Sequence, residues 1–161
     1  MSMTLLMTPE MTNFTGHVHG GSLLKLLDQV AYACAARYSR SYVVTAALDQ
    51  VYFKEHINVG ELITLHANIN YVGRSSMEVA VDVISEDLKT NQKRHVNSCF
   101  FTMVAIDEEG NSIKVPNLDI NSDLEQELFN AGEARRKFRK EALEKNNLLS
   151  STFLDDVLNT K

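Results

Sequence analysis

An acidic residue, Asp28, occupies a position where the sequence pattern favours an apolar side chain. The segment Ser22–Tyr38 carries apolar residues at helical spacing, and Asp28 comes four residues after Leu24 and three before Ala31. A carboxylate on the apolar face of a helix costs free energy unless it is partnered. Asp28 is therefore a candidate general base, with a structural acid at the rim of the core as the alternative.

A pair of glycines lies at the start of the same helix. Gly20 and Gly21 come about two helical turns before Asp28. Free backbone N–H groups and the positive end of the helix dipole at such a place can hold an oxyanion or polarise a carbonyl. Two adjacent glycines also fit a tight turn. Together with Asp28, they favour an electrophile site near a general base.

Histidines and hydroxyls near these residues offer further chemistry. His17 and His19 form an H-x-H pair, but no third ligand follows at a suitable spacing, so no metal is predicted. Thr45 and several serines offer hydroxyls without the G-x-S-x-G motif or the cysteine–histidine signature of covalent catalysis. P-loop and Rossmann motifs are missing as well, which excludes those two nucleotide sites.

Two cationic segments could bind phosphate groups. In the first, Arg74, Ser75 and Ser76 follow a glycine and combine a guanidinium, two hydroxyls and turn backbone, although an ordinary hairpin turn has the same pattern. In the second, Arg135 and Arg136 begin a basic run in a chain of net charge −5, where a solvated helix face is the alternative. The acidic net charge argues against binding of nucleic acid through its phosphates.

The elements that must position these residues are one long helix and several antiparallel strands. A short strand at Met3–Met7 precedes the helix, and a capping box at Ser122 begins a second, highly charged helix that extends to about Lys145. Apolar and polar residues alternate in four later segments, which predicts strands at Val43–Phe53, Glu61–Val72, Ser76–Ser85 and Arg94–Ile106.

This order of elements predicts an α+β domain in which an antiparallel sheet wraps around one central helix. The domain is expected at residues 1–118. A charged C-terminal helix and tail, at residues 119–161, are expected to pack on it or on a neighbouring subunit. The open edge and face of the sheet predict a dimer.

The composition indicates the class of protein and its compartment. A chain of 161 residues with 44% hydrophobic and 23% charged residues fits one globular domain and excludes general disorder. Cys34 and Cys99 lie in apolar runs without CxxC spacing, as is typical of reduced cytoplasmic thiols. No signal-peptide pattern and no bilayer-spanning apolar stretch are visible, so a cytoplasmic location without a membrane partner is predicted.

Several of these motifs together resemble the hotdog-fold acyl-CoA thioesterases, and most of all the brain-type acyl-CoA hydrolases and their short bacterial relatives. The resemblance runs from about Leu5 to Lys140. No single motif is specific, but their combination in this order is. The motifs are GHVHGG at 16–21, LLDQVA at 26–31, VVTAALD at 43–49, YVGRSSMEV at 71–79 and VAIDEEG at 104–110.

The resemblance implies hydrolysis of acyl-CoA to a carboxylic acid and CoA, which is part of the substrate, without a cofactor. It implies that Asp28 is the catalytic carboxylate, acting as a general base or, through an anhydride, as a nucleophile. The N–H group of Gly20 or Gly21 would then polarise the thioester carbonyl. The family's second polar residue, an Asn or Asp in the loop, falls on His17, which departs from that pattern.

The resemblance also implies how CoA binds and how the chain assembles. The family's CoA-contacting turn falls on Arg74, Ser75 and Ser76, and the basic run at Arg135 and Arg136 resembles a helix that approaches the CoA nucleotide. Family members pair through a sheet edge and place their active sites at the dimer interface. A dimer, and a hexamer built from three dimers, are therefore expected.

Three other functions stay open on the sequence alone. The first is a non-catalytic acyl-CoA-binding or sensing module on the same fold, although such a module gains nothing from an acid beside the thioester. The second is an enoyl-CoA hydratase or dehydratase that pairs His17 or His19 with Asp28, although the expected His-Phe-Pro-Gly motif is missing. The third, a metal hydrolase built on the two histidines, has the least support. The sequence does not indicate an acyl chain length.

Overall fold

The structure, a computed structural model, describes residues 1–49 and 51–159, and for residues 147–159 it describes the backbone alone. These residues divide into two compact units, residues 1–119 and the segment from residue 120 onward. The elements are β1 (Ser2–Leu6), a 3-10 turn (Pro9–Met11), α1 (Gly20–Ser39), β2 (Tyr42–Asp49), β3 (Leu62–Val72), β4 (Ser76–Asp87), β5 (Gln92–Ile106) and α2 (Asp123–Asn159).

The first unit is a single antiparallel sheet with one helix packed on it. The strand order is β1-β3-β4-β5-β2, so β1 and β2 form the two edges. Helix α1 packs against β2, β3, β4 and β5. Its contact with the edge strand β1 is minor at most. The predicted α+β architecture, a sheet around one central helix, is confirmed.

The core lies between α1 and the inner face of the sheet. Along α1, Leu27, Val30, Ala31 and Ala35 are fully buried at helical spacing. The two alanines bring the helix axis close to the sheet, where strand residues of alternating positions point inward. Each fully buried large aliphatic side chain contributes about 1.5–3 kcal/mol relative to an exposed one, so this face of α1 largely fixes where Asp28 lies.

The predicted extent of β2 is wrong at its C-terminal end. The strand ends at Asp49 rather than at Phe53, and Gln50 lies outside the described residues. Residues 51–57 leave the sheet because their backbone forms hydrogen bonds with other groups. The Asn97 side chain donates to the Tyr52 carbonyl oxygen at 2.8 Å, and the Lys54 N–H donates to the Val96 carbonyl oxygen at 3.3 Å.

Helix α2 is longer than predicted. Its backbone continues to Asn159, beyond the predicted end near Lys145. Its start has the expected capping chemistry, since the Glu125 N–H donates to Ser122 Oγ at 3.2 Å and Glu125 Oε2 accepts from the Asn121 N–H at 2.6 Å. The docking of this helix and tail stays a prediction.

Candidate active site

Asp28 is half-buried on α1 and is held from β2. Its Oδ1 accepts a hydrogen bond of 2.6 Å from Thr45 Oγ1, which also lies 3.5 Å from Met103 Sδ. Within the part of the chain that the structure describes, no hydrogen bond to Oδ2 of Asp28 is formed. One carboxylate oxygen is therefore fixed and the other is available to a water molecule or a substrate.

Thr45 is a site residue that the sequence did not single out. It pairs with Met103 of β5 immediately before a register shift in β2 between Thr45 and Ala47. Irregularities of this kind change the direction of a side chain and are common beside active sites. The threonine was visible in the sequence only as one of several hydroxyls, because its contact with Asp28 depends on how β2 packs beside α1.

The loop before α1 is an ordered turn built around Asn13. Asn13 Oδ1 accepts hydrogen bonds from the Thr15 N–H (2.9 Å), the Thr15 hydroxyl (2.7 Å) and the His17 N–H (3.2 Å). The Asn13 N–H in turn donates to the His17 carbonyl oxygen at 2.7 Å. Gly16, at φ +80°, closes the turn in the left-handed region that favours glycine.

His17 is held by residues on the far side of its loop. Its Nδ1 lies 3.0 Å from Asn58 Oδ1, and its ring stacks on His56 with centroids 4.6 Å apart. Since an amide oxygen only accepts, Nδ1 of His17 carries the proton and donates. Among the described contacts none joins His17 to Asp28, so in one protomer the histidine holds the loop.

The two glycines at the start of α1 differ in their hydrogen bonding. The Gly21 N–H donates to His19 Nδ1 at 2.9 Å, which caps the helix. The Gly20 N–H has no acceptor among the described residues. Of the two predicted donors, only that of Gly20 is thus available to a carbonyl oxygen.

The predicted phosphate-binding turn is anchored by its backbone and leaves its guanidinium exposed. The Gly73 N–H donates to the Ser76 carbonyl oxygen at 2.8 Å, while the carbonyl oxygens of Ser75 and Arg74 accept from Ala105 (2.9 Å) and Val115 (3.0 Å). Arg74 is exposed, and its side chain pairs with no other described residue. A fixed turn that presents an unpaired cation suits a phosphate group.

Sheet register places this turn and Thr45 near the same end of the sheet. Ser76 pairs with Val104 on β5, and Val104 pairs with Val44 on β2. Two strand spacings of 4.7–4.9 Å separate Ser76 from Val44, about 10 Å in all. Thr45 follows Val44 directly, so the predicted CoA turn and the Asp28–Thr45 pair lie within reach of one extended ligand.

The predicted cationic pair on α2 belongs to the second unit. Arg135 is half-exposed and Arg136 is exposed. Their predicted contact with the CoA nucleotide stays a prediction.

A buried carboxylate, Glu61, anchors the segment that holds His17. Glu61 is 7% exposed and accepts hydrogen bonds from Arg94 (2.6 and 2.7 Å), Asn58 (2.8 Å) and Ser85 (2.5 Å). Burial raises the pKa of Glu61, but the hydrogen bonds from Ser85, Arg94 and Asn58 outweigh it and lower that pKa below its usual range. A cavity of about 550 Å³ beside this network is lined by Glu61 and Arg94, whose charges are already paired with each other.

Two negative findings concern metals and membranes. In the described parts of the chain, no group of three or more His, Cys, Asp or Glu side chains is arranged to hold a metal ion. None of the described helices is both long and apolar enough to cross a bilayer.

Comparison with known proteins gives consistent matches. Residues 15–91 match the model of the thioesterase superfamily. Protein VdlD of Helicobacter pylori is 44% identical over 137 residues, which cover 85% of this chain and 78% of that protein. The acyl-CoA thioester hydrolase YkhA of Bacillus subtilis, itself uncharacterized, is 36% identical over 80% of this chain and 75% of its own length. The human cytosolic acyl coenzyme A thioester hydrolase is 35% identical over 83% of this chain, but over only 36% of its own length.

Solved structures agree with the sequence relatives. An apo-hexameric acyl-CoA thioesterase is 36% identical, with a TM-score of 0.85 over 89% of this chain and 92% of that one. An acyl-CoA hydrolase of Staphylococcus aureus, solved with butyryl-CoA and CoA, is 27% identical, with a TM-score of 0.87 over 96% and 94%.

Three solved variants of the Staphylococcus aureus hydrolase point to individual positions. They replace an asparagine, an aspartate and a threonine by alanine, and in that sequence these residues are separated by 15 and 17 positions. In the present chain Asn13, Asp28 and Thr45 have the same residue types at the same two separations.

Proposed function

The chain belongs to the thioesterase superfamily, and from that premise we propose that it hydrolyses the thioester of acyl-CoA to CoA and a carboxylic acid. The observation that carries this proposal is the Asp28 carboxylate, half-buried on the central helix and fixed by Thr45 at 2.6 Å. A carboxylate held in this way presents one free oxygen in a constant direction, as a general base or a nucleophile requires.

Asp28 supplies the base or the nucleophile of the reaction. As a general base, its free Oδ2 takes a proton from water while the water oxygen forms a bond to the thioester carbon. The carbon–sulfur bond then breaks, and the thiolate of CoA leaves and is protonated. As a nucleophile, the same oxygen bonds directly to the carbon, and the carbon–sulfur bond breaks with release of the CoA thiolate. Water then cleaves the resulting anhydride to the carboxylic acid and regenerates Asp28. General-base catalysis contributes about 10²–10⁴ in rate.

Asn13 is proposed as the second polar residue of the site, in the place that the sequence resemblance gave to His17. Two observations support this choice: the separations from Asp28 and Thr45 match those in the Staphylococcus aureus hydrolase, and His17 is engaged by Asn58. Because Asn13 Oδ1 accepts hydrogen bonds from its own loop, the Nδ2 donors are left for the substrate. They and the Gly20 N–H are proposed to bind the carbonyl oxygen.

The site is proposed to be shared by two protomers. Gly20 and Asp28 are eight residues apart on α1, about 12 Å along the helix axis. A hydrogen bond to the carbonyl oxygen and the approach of the attacking atom each span only about 3 Å. A geometry in which Gly20 and Asn13 of one protomer meet Asp28 of its partner brings these groups together without that gap.

The surface around Thr45 supports such pairing. Strand β2 is an edge of the sheet, and it exposes Tyr42 (61%), Val44 (36%) and Leu48 (37%). A strand whose outer edge has no partner and whose exposed side chains are apolar can pair with another strand. We propose that two copies pair along β2 and that three such dimers form a hexamer; a thioesterase of similar structure is itself hexameric.

The remaining parts of the proposal concern the CoA moiety and the compartment. Arg74, Ser75 and Ser76 are proposed to bind CoA phosphates, and Arg135 and Arg136 to lie near its nucleotide. No cofactor is needed for this chemistry, since CoA is part of the substrate. A cytoplasmic location is proposed, in line with the cytosolic human relative.

The test is release of free thiol from acyl-CoA substrates of two to sixteen carbons, with wild type and Asp28→Asn. The asparagine is nearly isosteric, so the fold should persist while kcat falls by about 10²–10⁴. Glu108→Gln, which removes an exposed carboxylate from the turn after β5, is the matched control and should leave kcat unchanged. Failure of the wild type to release thiol from any acyl-CoA would contradict the proposed function. Hydration of an enoyl-CoA without thiol release would indicate a hydratase instead.

A further inference from the structure

A second, smaller cavity lies beside the start of α1. Its volume is about 200 Å³. Asn13 and Gly20, the two proposed carbonyl-binding residues, form part of its wall. The full lining is Asn13, Val18, Gly20, Leu23, Phe53, Glu55, His56 and Ile57.

The lining divides into an apolar part and a polar rim. Leu23 and Ile57 are 2% and 4% exposed, and with Val18 and Phe53 they give the cavity an apolar interior. Glu55 and His56 are exposed at its rim, and Glu55 is paired with Arg94 at 2.8 Å. An apolar chain gains free energy in the interior and none among the charged groups of the rim.

We propose that this cavity receives the acyl chain of the substrate and that Phe53 is the wall that limits the length of the chain. The inference rests on the proposed thioesterase function, because the carbonyl held by Asn13 and Gly20 places the first carbons of the acyl group at the mouth of the cavity. A cavity of about 150 Å³ lined by Leu, Ile and Phe accommodates benzene. A cavity of 200 Å³ therefore fits about six to eight carbons.

Phe53 is suited to set this limit because its ring closes the cavity without being part of the core. A Cβ atom at Gly20 would lie 3.3 Å from Phe53 Cζ, so the ring rests directly on the first turn of α1. Yet Phe53 is 51% exposed, on a segment whose neighbouring backbone is held by Asn97 and Arg94. A smaller residue at position 53 should lengthen the cavity while the backbone stays in place.

The experiment measures kcat/KM for acyl-CoA substrates from two to sixteen carbons. Each methylene that enters an apolar cavity should raise kcat/KM about fourfold, corresponding to about 0.8 kcal/mol per buried CH₂. We expect this rise to stop near six to eight carbons in the wild type. In Phe53→Ala the maximum should move to longer chains, with at least a tenfold gain for twelve carbons relative to six, and Phe53→Leu should fall between the two.

Tyr52→Ala is the matched control. Tyr52 is the neighbouring aromatic residue, is 62% exposed and does not line the cavity, so its removal should leave the chain-length profile unchanged. A wild-type profile without a maximum, or an unchanged maximum in a folded and active Phe53→Ala, would overturn the inference while thiol release would still support the thioesterase. If no acyl-CoA is hydrolysed at all, the proposed function itself fails.

Discussion

At the scale of single residues, one hydroxyl determines how Asp28 is presented. Thr45→Val keeps the shape of the side chain but removes the hydrogen bond of 2.6 Å to Oδ1. Hydrogen bonds to charged groups contribute about 1.5–3 kcal/mol, and each 1.36 kcal/mol is about a factor of ten in rate. We expect kcat to fall about 10- to 100-fold with little change in KM.

Thr45→Ser provides the control for that substitution. Serine keeps the hydroxyl and removes only a methyl group, so most of the lost kcat should return. Steady-state kinetics of the three proteins with one acyl-CoA are sufficient to compare them. Equal losses in the serine and valine variants would mean that Thr45 acts through packing and not through its hydrogen bond.

The sequence indicated a functional residue where that residue departed from the local pattern of its segment. Asp28 stood out because a charge among apolar positions of a helix is unusual, and the two glycines stood out by their place before it. Asn13 and Thr45 break no pattern, since asparagine is ordinary in a turn and threonine is ordinary in a strand. Their relation to Asp28 arises from packing across the fold, which spacing along one segment does not encode.

At the scale of elements, the Glu61 network connects strands to the loop of the site. Arg94 on β5 donates to Glu61 and also to the His56 carbonyl oxygen at 2.7 Å. Asn58 lies between Glu61 and His17, with 2.8 Å to the first and 3.0 Å to the second. The network thus fixes residues 55–58 against the sheet, and through His17 it fixes the turn that contains Asn13.

This network predicts a specific dependence of stability on pH. Since the pKa of Glu61 is lower in the folded than in the unfolded chain, its contribution to stability is full above the ordinary glutamate pKa of about 4.3. The contribution is lost as the pH falls through the lowered, folded value. Glu61→Gln should lower the free energy of unfolding at pH 7 by about 2 kcal/mol and flatten the acid limb of the stability curve.

Glu86→Gln is the control for this prediction. Glu86 pairs with Lys93 at 3.3 Å on the surface, and such exposed pairs contribute about 0–1 kcal/mol. Urea unfolding of both variants between pH 3 and pH 8 measures the difference. A Glu61→Gln protein whose stability follows the wild-type curve at every pH would show that Arg94 and Ser85 do not favour the charged carboxylate.

The local sequence predicted whether a segment is a helix or a strand more accurately than it predicted where the element ends. The alternation that predicted β2 continues past Asp49, but polar groups of β5 bind the backbone of residues 52 and 54 and draw the chain away from the sheet. That departure brings Phe53 over Gly20 and creates the small cavity. Whether residues 51–54 continue the strand or bind to Val96 and Asn97 depends on the packing of the whole sheet. The local pattern therefore predicted a strand that is too long.

At the scale of the whole molecule, the edge strand β2 is the feature that most favours assembly. Tyr42, Val44 and Leu48 are exposed on β2, and Thr45 lies among them beside Asp28. Pairing of two copies along this edge would bury the apolar side chains and bring two candidate sites to one interface. A monomer would leave both the edge and the site open to water.

A shared site makes a prediction that a self-contained site does not. Asp28→Asn removes the base, and Asn13→Ala removes the Nδ2 donors together with the Oδ1 atom that accepts hydrogen bonds from Thr15 and His17. Each variant alone should be nearly inactive.

When both chains are co-expressed in equal amounts, a site that takes Asp28 from one protomer and Asn13 from the other is intact with a probability of one half for each residue. Both residues are present in about a quarter of the sites, so the mixture should regain about a quarter of wild-type kcat. This fraction is the same whether the protein is a dimer or a hexamer of three dimers. Mass spectrometry of differently tagged chains verifies that mixed oligomers form. Mixed oligomers without regained activity would place Asn13 and Asp28 of one site in the same protomer.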